Sequence, residues 1–121
     1  MQNSKLKIDI DERTYKFALN IVKFVQKLPK NIITFELGKQ LLRSGTSIAS
    51  NIEEAQGAFS KDYFIYKINT SLKEAKETHL WLKLIRDAKL VNDANSIEGL
   101  IEECHQIKNI LGRIVKTSKG V

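Results

Sequence analysis

The residues best placed to do chemistry are Gln40, Arg43, Ser47, Asn51 and Glu54. Their steps of three and four put two amides, a guanidinium, a hydroxyl and a carboxylate on one face of a helix. Such a face can pair charges and hydrogen-bond. It holds no proton acceptor that titrates near neutral pH, so acid–base catalysis is not expected from it. Beside it, Leu37, Leu41, Ser44, Ile48, Ile52 and Ala55 recur at the same steps, and Gly38, Leu42, Gly45 and Ala49 form a third strip. Three adjoining strips of apolar, small or short polar residues predict a helix buried on more than one side.

The remaining reactive residues are sparse. Cys104 stands next to His105, but adjacent residues on a helix point apart, so Cys104 is expected as a buried small hydrophobe. Glu102-x-x-His105 has the spacing of half a di-iron bundle site. The other half needs a second such motif and two more inward glutamates, and no second Glu-x-x-His exists. His79 lies on an apolar edge and is expected as a hydrogen-bonded core histidine. There is no phosphate-cradling glycine loop or dinucleotide fingerprint. No catalytic, cofactor-binding or metal-binding residue is expected, and the chain does not read as an enzyme. Basic residues gather at Lys83, Arg86 and Lys89 and again at Lys108, Arg113, Lys116 and Lys119. One account is helix-dipole compensation and solubility. The other is contact with nucleic-acid phosphates, salt-sensitive and blind to sequence.

The rest of the chain bounds the setting. It has 121 residues, 42% hydrophobic and 28% charged, with one proline and six glycines, which favours long helices. The net charge is +6, spread as nine basic and six acidic groups in residues 1–60 and eleven and eight in residues 61–121. Apolar runs fall far short of the ~20 residues that span a bilayer, and the start lacks the apolar core of a signal peptide. A lone cysteine builds no disulfide framework. A cytoplasmic protein with no membrane partner is expected.

These residues must be positioned by four amphipathic helices, at about 11–27, 33–56, 60–89 and 95–116, after a loose arm at 1–10. Leu28-Pro29 stops the first helix, Gly57 is a plausible residue just past the second, Ser60 caps the third, and Asn92–Ser96 supplies the last turn and cap. Asp9, Asp11 and Glu12 open helix one in accord with its dipole; Glu53 and Glu54 close helix two against it. Short connections and the absence of strand patterns predict one domain over 1–121, an all-α, up-down-up-down antiparallel four-helix bundle. A turn near Ala58–Phe59 sets Arg43 opposite Glu74 with Glu77 in reach, Ser47 opposite Thr70, and Asn51 opposite Tyr66. The polar stripe then reads as an interhelical register lock, with a ligand or active site and a subunit interface as the other readings. Lys61 is the nearest intrachain partner for Glu54, and a neighbouring subunit could also supply one.

Gln40-Leu41-x-Arg43-Ser44-x-x-Ser47-Ile48-x-x-Asn51-Ile52-x-Glu54-Ala55 resembles the signature of a bacterial four-helix-bundle family, the small proteins encoded in intervening sequences of 23S ribosomal RNA genes. Leu28-Pro29 and Ser71-Leu72-Lys73-Glu74-Ala75 also fit. The chain departs from the commoner form at Leu42, Glu53 and Ala55, where arginine, alanine and glycine are usual. The resemblance implies a protomer that assembles into a homopentameric ring. Its relatives include accessory proteins of diversity-generating retroelements, basic pentameric bundles that bind nucleic acid and a reverse transcriptase. The expected function is therefore a non-enzymatic oligomeric scaffold with RNA or DNA binding. The alternative is a protein-interaction module without nucleic acid.

Overall fold

The computed structural model describes residues 2–120, with side chains described from Ile10 onward. Four helices follow one another, α1 Gln2–Gln26, α2 Ile32–Gln56, α3 Lys61–Asp87 and α4 Ala94–Ser118, and there is no strand among the described residues. Each packs on the next, and α4 closes more lightly on α1, as expected for an up-down-up-down bundle.

The first helix corrects one expectation. The loose arm at 1–10 is instead part of α1, whose backbone is helical from Gln2; Met1 and the side chains of residues 1–9 lie outside the described residues. Within the helix stands Thr14. It is polar by type and breaks the apolar pattern, yet its hydroxyl donates to the Ile10 carbonyl at 2.8 Å, so it can be fully buried. Ile10, Thr14, Phe17, Ile21, Phe24 and Leu28 then form one inward stripe. Asp11 and Glu12 consequently sit inside α1 rather than at its positive end, and Glu12 pairs with Lys16 at 3.1 Å.

Caps set the other boundaries. Asn31 accepts from Thr34 N at 3.0 Å while its own N–H donates to Thr34 Oγ1, a reciprocal box absent from the sequence reading. Ser60 accepts from Tyr63 N at 3.1 Å, as expected, and Asp93 accepts from Ser96 N at 3.1 Å. Gly57 does follow α2, but its φ of −93° makes no use of glycine's freedom. The left-handed residues among those described are Lys89, φ 57°, beyond α3, and Gly120, φ 77°, beyond α4.

The core is drawn from all four helices: Phe17 and Ile21, then Leu41, Ile48 and Ile52, then Ile68, Leu82 and Ile85, then Ile97, Ile107 and Leu111. α2 is buried on two sides because α1 packs on its small strip. A Cβ on Gly45 would lie 3.0 Å from Ile21 Cγ2 and 3.1 Å from Cγ1; one on Gly38 would lie 3.0 Å from the flexible Leu28 Cδ1 tip and in ordinary contact with Val25 Cγ1 at 3.6 Å. Arg13 clasps α1 to α4, its Nε donating to Glu103 Oε2 at 2.7 Å and its Nη2 to Glu103 Oε1 at 2.9 Å.

Ile21 is β-branched and enclosed, so it cannot yield as the end of Leu28 can. Gly45→Ala is expected to lower stability by about 1–2 kcal/mol, since overpacking costs ~1–3 kcal/mol and better helix propensity offsets ~1 kcal/mol. Gly38→Ala should leave stability unchanged to within about 0.5 kcal/mol or raise it, and urea unfolding of the two variants compares them.

Candidate functional site

The polar stripe of α2 faces α3. Arg43 spans two carboxylates, Nη1 donating to Glu74 Oε2 at 3.2 Å and Nη2 to Glu77 Oε1 at 2.8 Å. Gln40 supports it from one turn earlier, Oε1 accepting from Arg43 Nε at 3.5 Å. The pairing is not deeply buried: half of the Arg43 side chain is exposed, whereas Glu74 is buried. Burial pushes the Glu74 carboxyl above its usual range, and the neighbouring Glu77 pushes it further, while Arg43 and Ser47 pull it down. Among the described residues, this cluster offers hydrogen bonds and charge but no nucleophile with an activating base.

The register lies one turn from the expected one. Arg43–Glu77, Ser44–Thr78, Ile48–Ser71 and Glu54–Lys67 are centred on or within one residue of Ser60, and Arg43–Glu74 alone keeps the expected centre at Ala58–Phe59. Ser47 therefore faces Glu74, and the expected Ser47–Thr70 and Asn51–Tyr66 pairs do not form. Asn51 Nδ2 donates to the Ser47 carbonyl at 2.8 Å and Thr70 Oγ1 to the Tyr66 carbonyl at 2.9 Å, both within their own helices. The buried cross-links are hydroxyls absent from the predicted stripe. Thr78 Oγ1 donates to Ser44 Oγ at 2.9 Å, and Ser71 Oγ to the Ile48 carbonyl at 2.8 Å.

Glu54 is compensated within the protomer. Its partner is Lys67 at 2.5 Å rather than Lys61, and this bond raises the Lys67 pKa above its ordinary value. Lys67 is in turn cradled by aromatic rings, its Nζ 5.6 Å from the centroids of both Tyr63 and Tyr66. Glu53 is exposed and makes no ion pair among the described residues.

The predicted basic residues do not form one cluster. Lys83, Arg86 and Lys108 surround His79. Burial is the first cause that lowers its pKa, and those cations and His105 lower it further. His79 makes no hydrogen bond among the described residues, which corrects the core-histidine expectation; its ring lies 6.1 Å from that of His105, across the α3–α4 seam. Arg86 is already engaged by Asp87 at 2.8 Å and Glu98 at 3.2 Å. Lys89 stands past the end of α3, while Arg113, Lys116 and Lys119 are exposed at the opposite end of the bundle. Lys73 and Lys76, exposed on the outer face of α3, extend the cationic surface and were missed because they are scattered among other residues in sequence. Their shared face shows only once the helix is in register.

Cys104 is fully buried, its Sγ donating to the Ala75 carbonyl at 3.3 Å, and burial pushes the thiol up to about 12. Among the described residues, no group of three or more His, Cys, Asp or Glu could hold a metal ion, and no helix is long and apolar enough to cross a membrane.

Arg43→Ala removes the cation from a buried carboxylate that already sits beside another. The Glu74 pKa then rises further above its unfolded value. The resulting penalty is fully present above the folded pKa, shrinks as pH falls from there to the unfolded one, and is gone below it. The variant should lose about 1–2 kcal/mol near neutral pH, discounted for the exposure of Arg43, and clearly less near roughly pH 4.5. Urea unfolding of variant and parent at both pH values measures the difference.

Residues 7–113 match the family model of the 23S rRNA-intervening sequence protein. No curated protein matches the chain. A solved structure from Bacteroides thetaiotaomicron, a protein of unknown function from the S23 ribosomal protein family, is 35% identical. The likeness covers 92% of this chain and 98% of that one with a TM-score of 0.84. With its four-helix architecture and the matched span, this chain belongs to the 23S rRNA-intervening sequence protein family.

Proposed function

We propose that this chain is a non-enzymatic homo-oligomeric scaffold, pentameric as the family resemblance implies, that binds RNA or DNA through a basic surface. The observation that carries this reading is the large apolar surface left exposed on α1 and α2. Tyr15 and Leu19 on α1 and Ile32, Phe35 and Leu42 on α2 are large apolar side chains left in solvent; Ile32 is 76% and Phe35 66% exposed. Ile32, Phe35 and Leu42 line one groove with Val25 and Leu28. Monomers rarely leave such contiguous apolar surface uncovered, so this face suits a second protomer.

Cations are spread over both sides of the bundle, and α3–α4 carries the longer run. Lys73, Lys76, Lys83, Lys108, Lys116 and Lys119 make no ion pair among the described residues. A ring that buries the α1–α2 face would leave these cations outward, where phosphates can reach them. The second reading, a protein-interaction module, is favoured by the same groove, whose apolar lining also suits the apolar side of a partner's amphipathic helix.

Light scattering should give five times the 13.8 kDa protomer mass, and Ile32→Glu with Phe35→Glu should lower it. A wild-type mass of one protomer overturns the scaffold. Titration of labelled RNA and DNA at two salt concentrations should show binding with a steep salt slope. No binding at low salt removes the nucleic-acid half and leaves the interaction module.

A further inference from the structure

We propose that the exposed aromatic ladder Phe59–Tyr63–Tyr66, at the corner between α2 and α3, is a stacking platform for unpaired bases, so that the nucleic acid taken by this chain is single-stranded. The proposal rests on the nucleic-acid reading above and narrows it to one class of ligand.

The three rings form a continuous surface. Phe59 and Tyr63 are stacked, with centroids 5.5 Å apart and planes 15° apart; Tyr63 and Tyr66 follow at 6.3 Å and 43°. Phe59 is 90% exposed and Tyr66 61%, and neither belongs to the hydrophobic core. Phe59 thus gains little of the ~1.5–3 kcal/mol that burying its side chain would bring, and the core does not account for it. The ladder is also held in place. Lys67 lies over both tyrosine rings and is anchored by Glu54 across the α2–α3 seam, so the rings have a fixed edge rather than a loose one.

Cations continue where the rings stop. Tyr66, Asn69, Lys73, Lys76, Leu80 and Lys83 share one face of α3, and Lys73 lies seven residues, or ~10 Å, beyond Tyr66. Lys73, Lys76 and Lys83 are without ion pairs among the described residues, so they complement a backbone of phosphates. This pairing of rings with a cationic track discriminates between nucleic acids. A duplex presents phosphates and groove edges and keeps its bases stacked inside, so exposed rings gain nothing from it. A single strand can splay its bases onto aromatic faces while its phosphates follow the lysines.

The test uses the full chain, fluorescence anisotropy at low salt, and labelled oligothymidine and oligouridine, each free and annealed to its complement. The wild type is expected to bind the free strands at least about tenfold more tightly than the duplexes. The double variant Phe59→Ala/Tyr66→Ala, at two exposed positions, should lose at least about tenfold in single-strand affinity. Its duplex binding, unfolding midpoint and light-scattering mass should stay unchanged. Tyr66→Phe with Phe59 intact should retain single-strand binding, since the ring and not the hydroxyl stacks. If neither form binds, the parent reading fails, and this one with it. If both forms bind equally, or the double variant binds single strands as the wild type does, nucleic-acid binding stands and the platform is overturned. A changed mass for the double variant also overturns it, and makes the ladder a contact between copies of the chain.

Discussion

The register of the bundle depends on two buried hydroxyls of α3 that reach across to α2. Ser71 and Thr78 are fully buried on α3 and reach across to the Ile48 carbonyl and the Ser44 hydroxyl of α2. Sliding α3 by one turn would orphan the Ser71 hydroxyl at a cost of about 1–3 kcal/mol and break the Thr78–Ser44 link, although Thr78 would keep the Glu74 carbonyl of its own helix at 2.8 Å. Apolar packing alone is less selective, because Leu and Ile stripes interdigitate in several registers. The hydroxyls therefore choose the register in which the other pairs meet. Arg43 finds Glu74 and Glu77, Glu54 finds Lys67, and the Cys104 thiol finds the Ala75 carbonyl on the far side of α3.

On its other side, α2 is constrained by size rather than by polarity. Gly45 lets the Ile21 side chain approach where a methyl group would collide. α2 is thereby enclosed by α1 and α3, and its polar stripe is pushed to the rim of the α2–α3 seam. Arg43 occupies that rim, half in water, where it can neutralise a buried carboxylate without itself being desolvated. The Glu54–Lys67 pair plays a similar part at the far end of the helix, where the dipole disfavours an anion. What first resembled a reactive stripe is an electrostatic border around a packed seam, and the chain's outward chemistry lies elsewhere.

The outward surface carries an apolar groove on α1–α2, edged by Lys30 and Lys39, and a run of cations on α3–α4. The histidine pair stands where that run is densest. Burial and four surrounding positive or titratable groups hold His79 toward its neutral form. A cation would be repelled there and an anion drawn in, which agrees with the absence of a metal-ligand cluster among the described residues.

Much of this protein follows from sequence alone. Four stripes at helical spacing, with Pro29 and Ser60 as boundaries, determined the helix count, the bundle class and the Arg43–Glu74–Glu77 cluster. These depend on local periodicity and on the reach of a long side chain, which tolerates an error of one turn. Short side chains do not tolerate it. Whether Ser47 faces Thr70 or Glu74, and whether Lys61 or Lys67 meets Glu54, turned on where the hairpin is centred, and only tertiary packing decided that. An inward position was hidden where a polar residue is buried by bonding its own backbone, as Thr14 does. The aromatic ladder and the alignment of Lys73 with Lys76 were equally invisible, because they are properties of a surface. A surface exists only after the fold has chosen which side of each helix to cover.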